Sequence, residues 1–259
     1  MGIAIVIFLV FLLLGMPVAF AIGISGFSFF IIRDLPMTML VQKSISATQS
    51  FTMLAIPLFI LAGNLMNATG ITKRLMRLAN VLTGHMYGNV GQVSCVLSTL
   101  MGGVSGSAVA DAAMETRILG PEMERLGYAK GWAAAINGLS GLIVATIPPS
   151  MGLIIYGTVG EVSIGRLFMA GWVPGLLMMV LLMVATSWSA RRFGYKPEHT
   201  KRATLKQIGR EIVSSIWALL FPVLLIVLIR FGIMSPSESG AFACAYALFV
   251  GIVIYKELN

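Results

Sequence analysis

Apolar stretches of bilayer-crossing length recur along this chain, and some are interrupted near their middles by glycine, serine or proline. A spanning helix takes about 20 apolar residues, and hydrocarbon tolerates no unpaired backbone. An interrupted stretch must therefore be a hairpin or a broken helix whose free groups are met by protein or by a water-filled cavity. Crossings are expected at 51–68, 164–190, 212–231 and, after the turn Ser235-Pro236, at 237–255. The run 2–32, with Gly15 and Pro17 inside it, reads as one more crossing, and 129–160 as a crossing broken at Pro148-Pro149. The stretch 86–126 reads as a re-entrant hairpin, because Gly102-Gly103-Val104-Ser105-Gly106-Ser107 separates two apolar limbs, the second carrying Asp111, Glu115 and Arg117. Segments 35–50 and 71–83 are amphipathic and expected along the interface. The chain is thus an all-α polytopic membrane protein.

A composition of 58% hydrophobic and 11% charged residues does not describe a soluble domain. The net charge of +8 would suggest nucleic acid, but the Lys and Arg sit in short loops between apolar runs, so no nucleic-acid partner is expected. Cys95 and Cys244 lie inside apolar runs and form no disulfide framework or metal pair. The apolar start has no basic segment before it and reads as a retained helix, not a signal peptide. Cytoplasmic loops collect Lys and Arg. With a cytoplasmic amino terminus and a returning hairpin at 86–126, fourteen of these residues fall inside, and Arg33, Lys43, Arg166 and Arg230 fall outside. A hairpin that crossed instead would split Lys73–Arg77 from the cluster Arg191–Arg210.

The two breaks are candidate solute or ion sites. At the first, Gly103 and Gly106 permit a tight turn, and Ser105 or Ser107 can cap the returning limb, leaving amide groups and a positive dipole end at the tip. A small-residue helix contact is the plainer reading. At the second, Pro148 and Pro149 remove two donors, so carbonyls in the preceding turn lose partners and can ligate sodium, while Ser150 can cap the half-helix 151–160 toward a carboxylate. A simple proline kink is the alternative. Asn137, Ser140 and Thr146 line the half-helix before it, and either face a cavity or bond a neighbouring helix. Asp111 either binds an ion or stabilises the hairpin, since Glu115 and Arg117 follow it down a limb open to water on this reading. Ser235-Pro236-Ser237-Glu238 is a capping box, which makes Glu238 structural. The Arg191–Arg210 cluster fixes topology and touches anionic membrane lipid, with His199 a solvated loop residue.

At this point the chain resembles a known family. Ala55-Ile56-Pro57-Leu58-Phe59-Ile60-Leu61-Ala62-Gly63, the run Ser105 to Ala113, Pro121-Glu122-Met123 with Gly127-Tyr128, Ile147-Pro148-Pro149-Ser150, and Ser163-Ile164-Gly165 with Leu167 to Gly171 are similar, in collinear order, to the large membrane subunit of tripartite ATP-independent periplasmic (TRAP) transporters. The resemblance implies an elevator-type, inverted-repeat secondary transporter in the inner membrane. It would take organic acids from a periplasmic substrate-binding protein, couple uptake to sodium and work with a small membrane subunit. It points to Ser105, Gly106 and Ser107 at the tip and to Pro148, Pro149 and Ser150 at the break as substrate or sodium contacts, with Asp111, Asn137 and Ser140 as further candidates. It divides the chain into a first repeat, 1–211, with an arm helix at 35–50, a connector at 212–236 and the first helix of a second repeat at 237–259. Where family members continue with small residues after Ala113, this chain has Met114-Glu115-Thr116-Arg117. Family members are also longer, so a truncated or split permease, inactive alone, is the alternative.

An intramembrane serine protease is the rival from another class, because Gly103-Val104-Ser105-Gly106 matches its nucleophile motif. It needs a base, and neither His85 nor His199 is expected within reach of Ser105. No enzyme activity is expected.

Overall fold

The structure is a computed structural model that describes residues 2–49, 51–197 and 202–257; His199 and its immediate neighbours lie outside them. The described residues are helical, with no strand among them, and form two compact units, 1–50 and 51–259.

In the first unit, α1 (Gly2–Leu13) and α2 (Val18–Ile32) are separate helices, followed by α3 (Met37–Thr48). Gly15 turns the chain at φ +80° and Pro17 caps α2, while Met16 bonds back to the Phe11 carbonyl at 3.1 Å. Ala4 and Phe8 then share an apolar groove with Ser25 and Phe29, which is possible only if the helices run antiparallel. The expected single crossing at 2–32 is therefore a fold-back. At 12 and 15 residues the two arms reach roughly 18 and 22 Å. The amino terminus and residues 33–36 consequently share one end of the hairpin.

The second unit opens on a 3₁₀ turn (Phe51–Leu54) leading into α4 (Ala55–Ala68), then α5 (Ile71–Thr83). Ile71, Leu75 and Leu78 make a buried face, and this helix packs on the next one and on residues 205–214. The apolar face of 71–83 thus meets protein, not lipid, while Lys73 and Arg77 stay exposed. The hairpin consists of α6 (Asn89–Gly102) and α7 (Ala108–Arg125), and the broken helix of α8 (Lys130–Thr146) and α9 (Met151–Val159), bent by 47°. The 30 residues of α10 (Ile164–Phe193) are long and apolar enough to cross a membrane, as are Phe51–Ala68 and Pro236–Ile254.

The segment expected as connecting loop up to 211 holds α11 (Leu205–Ser214), started by a capping box in which Gln207 Oε1 accepts the Thr204 amide at 2.8 Å. A 63° bend at Ser215 leads into α12 (Ile216–Arg230), so that apolar segment begins later than 212. The Ser235–Glu238 capping box forms as expected and starts α13 (Pro236–Phe249), which ends in a π turn at Val250–Ile254. Small residues at Ser237, Gly240 and Cys244 let α13 lie close along α4: Ser237 Oγ donates to the Phe51 carbonyl at 2.6 Å and Cys244 Sγ to that of Leu58 at 3.2 Å.

Candidate substrate and ion site

The hairpin tip is non-helical for a few residues only. Gly106 takes φ +61°, and a Cβ there would lie 2.6 Å from the Pro149 carbonyl oxygen, so only glycine fits both the turn and the approach. Ser107 caps α7 by accepting the Ala110 amide at 3.3 Å. Ser105 Oγ is buried without a partner among the described residues, and its Cα lies 3.2 Å from where a Cβ on Gly63 of α4 would stand. Gly63, which ends the run Ala55–Gly63, therefore serves the tip.

At the second break, Ile147 is extended and Pro148-Pro149 is a cis peptide. Pro149 cannot donate to Ala145, four residues back, and Ser150 replaces the missing donor, its hydroxyl reaching the Ala145 carbonyl at 2.5 Å. One of the carbonyls expected to be free is thereby occupied. Ser150 also caps α9, accepting the Leu153 amide at 3.4 Å.

The two breaks meet: the Met151 amide donates to the Gly106 carbonyl at 3.2 Å. Ser105, Gly106, Ser107, Pro148, Pro149 and Ser150 thus form one locality, at which α7 and α9 both present positive amino ends. Its oxygens are backbone carbonyls and hydroxyls, a hard, uncharged donor set of the kind an alkali cation takes. Among the described residues no group of three or more His, Cys, Asp or Glu could hold a metal ion.

Asn137 and Ser140 belong to a second locality deeper in the hairpin. Ser140 Oγ donates to Glu115 Oε2 at 3.0 Å, Ser94 bonds the same oxygen, and Ser98 Oγ lies 2.8 Å from both Glu115 Oε1 and Asp111 Oδ2. The Asn137 side-chain oxygen is buried without a partner. Asp111 and Glu115 are buried while Arg117 on the same limb is exposed, and neither carboxylate forms an ion pair among the described residues. Sequence reasoning passed over Glu115, Ser94 and Ser98. Their signal was the spacing of four within each limb, which sets Asp111 with Glu115 and Ser94 with Ser98 on single helix faces. Asp111 links the localities, because its amide donates to the Ser107 carbonyl at 3.0 Å.

A proteolytic reading fails on geometry. Among the described residues Ser105 Oγ bonds to no base, and His85 precedes the 14 residues of α6, whose length of roughly 21 Å separates it from the tip.

Residues 5–259 match the family model described as "Tripartite ATP-independent periplasmic transporter, DctM component". The chain is 40% identical over 247 residues to the 2,3-diketo-L-gulonate TRAP transporter large permease protein YiaN of Escherichia coli, covering 95% of this chain and 58% of that protein. It is 37% identical over 248 residues to the sialic acid TRAP transporter large permease protein SiaM of Vibrio cholerae, covering 95% and 57%. To the C4-dicarboxylate TRAP transporter large permease protein DctM of Rhodobacter capsulatus it is 32% identical over 263 residues, covering 96% and 59%. The chain thus spans less than two thirds of the length of these relatives, which are transport proteins and not enzymes. With its apolar helices, joined breaks and match along nearly its whole length, the chain is a multi-pass membrane protein that belongs to the DctM component family of tripartite ATP-independent periplasmic transporters.

Proposed function

We propose that this chain supplies the hairpin and broken-helix half of a large permease subunit that imports an organic acid by sodium-coupled secondary transport. The observation that carries the reading is the Gly106–Met151 bond, which brings two capped helix amino ends to one place where a carboxylate and a carbonyl-bound cation stabilise each other. The relatives' names indicate carboxylate cargo, and the family indicates a periplasmic binding protein and a small membrane subunit as partners in the inner membrane. In an elevator cycle the hairpin and broken helix would move as one body, as their direct bond allows. Residues 1–32 carry no Lys or Arg, so the charge count that puts residues 73–77 and 191–210 in the cytoplasm survives the fold-back of α1 and α2. The amino terminus then faces the periplasm with residues 33–36. Tyr87 beneath Arg191 and Trp188 beneath Arg192, with Trp132 and Tyr195 beside them, form an aromatic girdle suited to the cytoplasmic interface.

The test is uptake by the complete permease with its small subunit and binding protein in sealed proteoliposomes. An inward sodium gradient should drive uptake of a labelled carboxylate, and collapsing it should stop uptake. Uptake driven by ATP alone in sodium-free vesicles would sink the proposal.

A further inference from the structure

We infer that an anionic phospholipid binds between α8 and α10, with one acyl chain in the groove beside Leu142 and Leu181 and its head group on Arg192. The inference does not depend on the cargo.

The two helices run antiparallel, as the contacts of Trp132 with Ser189 and of Thr146 with Met178 require, and they are pinned at both ends of a gap. Toward the prolines, Gly171 and Gly175 let α10 press on the Thr146 carbonyl and on Ile147. At the other end, Trp132 Nε1 donates to Ser189 Oγ at 3.0 Å. Between the pins lies an apolar groove of about 280 Å³, bordered by Leu139 and Leu142 of α8 and by Met178, Leu181 and Ala185 of α10. Met178, Leu181, Ala185, Trp188 and Arg192 recur three or four residues apart, so they stand on one face of α10. The guanidinium of Arg192 lies over the Trp188 ring, 5.9 Å from its centroid. At 1.5 Å per residue, the stretch from Ala185 to Met178 lies roughly 10–21 Å along the helix from Arg192. With Arg192 among the head groups, this is the depth that an acyl chain of the same lipid occupies, since one leaflet's hydrocarbon is about 15 Å thick. Arg191 and Lys196 add exposed positive charge, and none of the three cations has an acidic partner among the described residues. A zwitterionic lipid fills the groove but brings Arg192 no net charge, whereas an anionic one supplies both in a single molecule.

The test uses the complete permease with its small subunit, reconstituted in phosphatidylcholine vesicles with a minor share of phosphatidylglycerol, one lipid or the other brominated on its acyl chains. Bromine quenches nearby indole rings, and the signal of Trp188 is the difference between the parent and Trp188→Phe. Phosphatidylglycerol should be preferred beside Trp188 by about fivefold. Arg192→Gln should remove that preference and Arg192→Lys keep it. Ala185→Phe, which fills the groove two turns from the charge, should reduce it to about twofold, since the chain can no longer pack there. These positions are all exposed, so the substitutions leave the packed interior intact. Equal quenching by the two lipids in the parent would overturn the inference, as would a preference that survives Arg192→Gln. A preference unchanged in Ala185→Phe would reduce the effect to surface charge and overturn the groove. Absence of quenching by either lipid would show that a protein helix covers this face, and would overturn it too.

Discussion

The carbonyl of Gly106 accepts the amide of Met151 at 3.2 Å, tying the turn of the hairpin to the first residue beyond the prolines. Each break leaves backbone groups that its own helix cannot satisfy, and here one break serves the other. That reciprocity makes the pair a single rigid feature, and it sets the expected response to mutation.

Gly106→Ala should be a damaging single-methyl change at the tip. The added Cβ meets both a left-handed φ and the Pro149 carbonyl at 2.6 Å, so the turn must shift and the Met151 bond breaks. A loss of about 2 kcal/mol or more is expected, read as a lowered midpoint in thermal unfolding of the detergent-solubilised protein. An unchanged midpoint would mean that the joint does not contribute.

Ser107→Ala and Ser150→Ala each remove a cap, at about 1–2 kcal/mol apiece. Ser150→Ala should cost more, since it also strips the Ala145 carbonyl of its donor. Because the caps adjoin through Gly106 and Met151, the double variant should depart from additivity by at least about 0.5 kcal/mol, and half-saturating sodium in the complete permease should rise about tenfold in each single variant. Additive losses with unchanged sodium dependence would leave two separate structural turns.

The breaks were legible because lipid forbids free backbone, so Gly103-Val104-Ser105-Gly106 and Pro148-Pro149 had no ordinary place in a span. Their meeting was not legible, since nothing local to either segment encodes a bond between Gly106 and Met151. The surroundings of Glu115 were not legible for a related reason: a carboxylate on a helical limb says nothing about what faces it until Ser94, Ser98 and Ser140 arrive from two other helices. With α11 the cue was present, as the spacing of Thr204 and Gln207 marks a helix start, but the surrounding charges made the segment read as loop.

Glu115→Ala should destabilise the hairpin far more than Glu115→Gln. Alanine removes the acceptor that the Ser94, Ser98 and Ser140 hydroxyls share; Ser98 keeps the Asp111 carboxylate and Ser140 the Asn137 carbonyl, so the loss falls chiefly on the Ser94 hydroxyl, at about 1–3 kcal/mol, beside the cavity left by the lost side chain. Glutamine keeps the shape and one acceptor oxygen and should stay within about 1 kcal/mol of the parent. Comparing unfolding midpoints of the two variants decides it; equal, large losses would show that the charge itself is required.

The last prediction separates the fold-back of α1 and α2 from a single crossing. If residues 2–32 were one span, Met16 would sit near the middle of the hydrocarbon and be closed to aqueous reagents from both sides. In the hairpin it lies in the turn, held by its bond to the Phe11 carbonyl, at the end away from residues 33–36. A cysteine replacing Met16 should therefore label from the cytoplasmic face together with one replacing Lys196, while one replacing Thr38 labels from the periplasm. The native pair gives little background, since Cys95 is buried and Cys244 half-buried. The arms are short, so the turn reaches the surface only if the bilayer thins or flanking residues extend toward it, which a small membrane-impermeant thiol reagent is suited to detect. Protection of position 16 from both faces, with Lys196 and Thr38 labelling on opposite sides, would restore the single crossing and return the amino terminus to the cytoplasm.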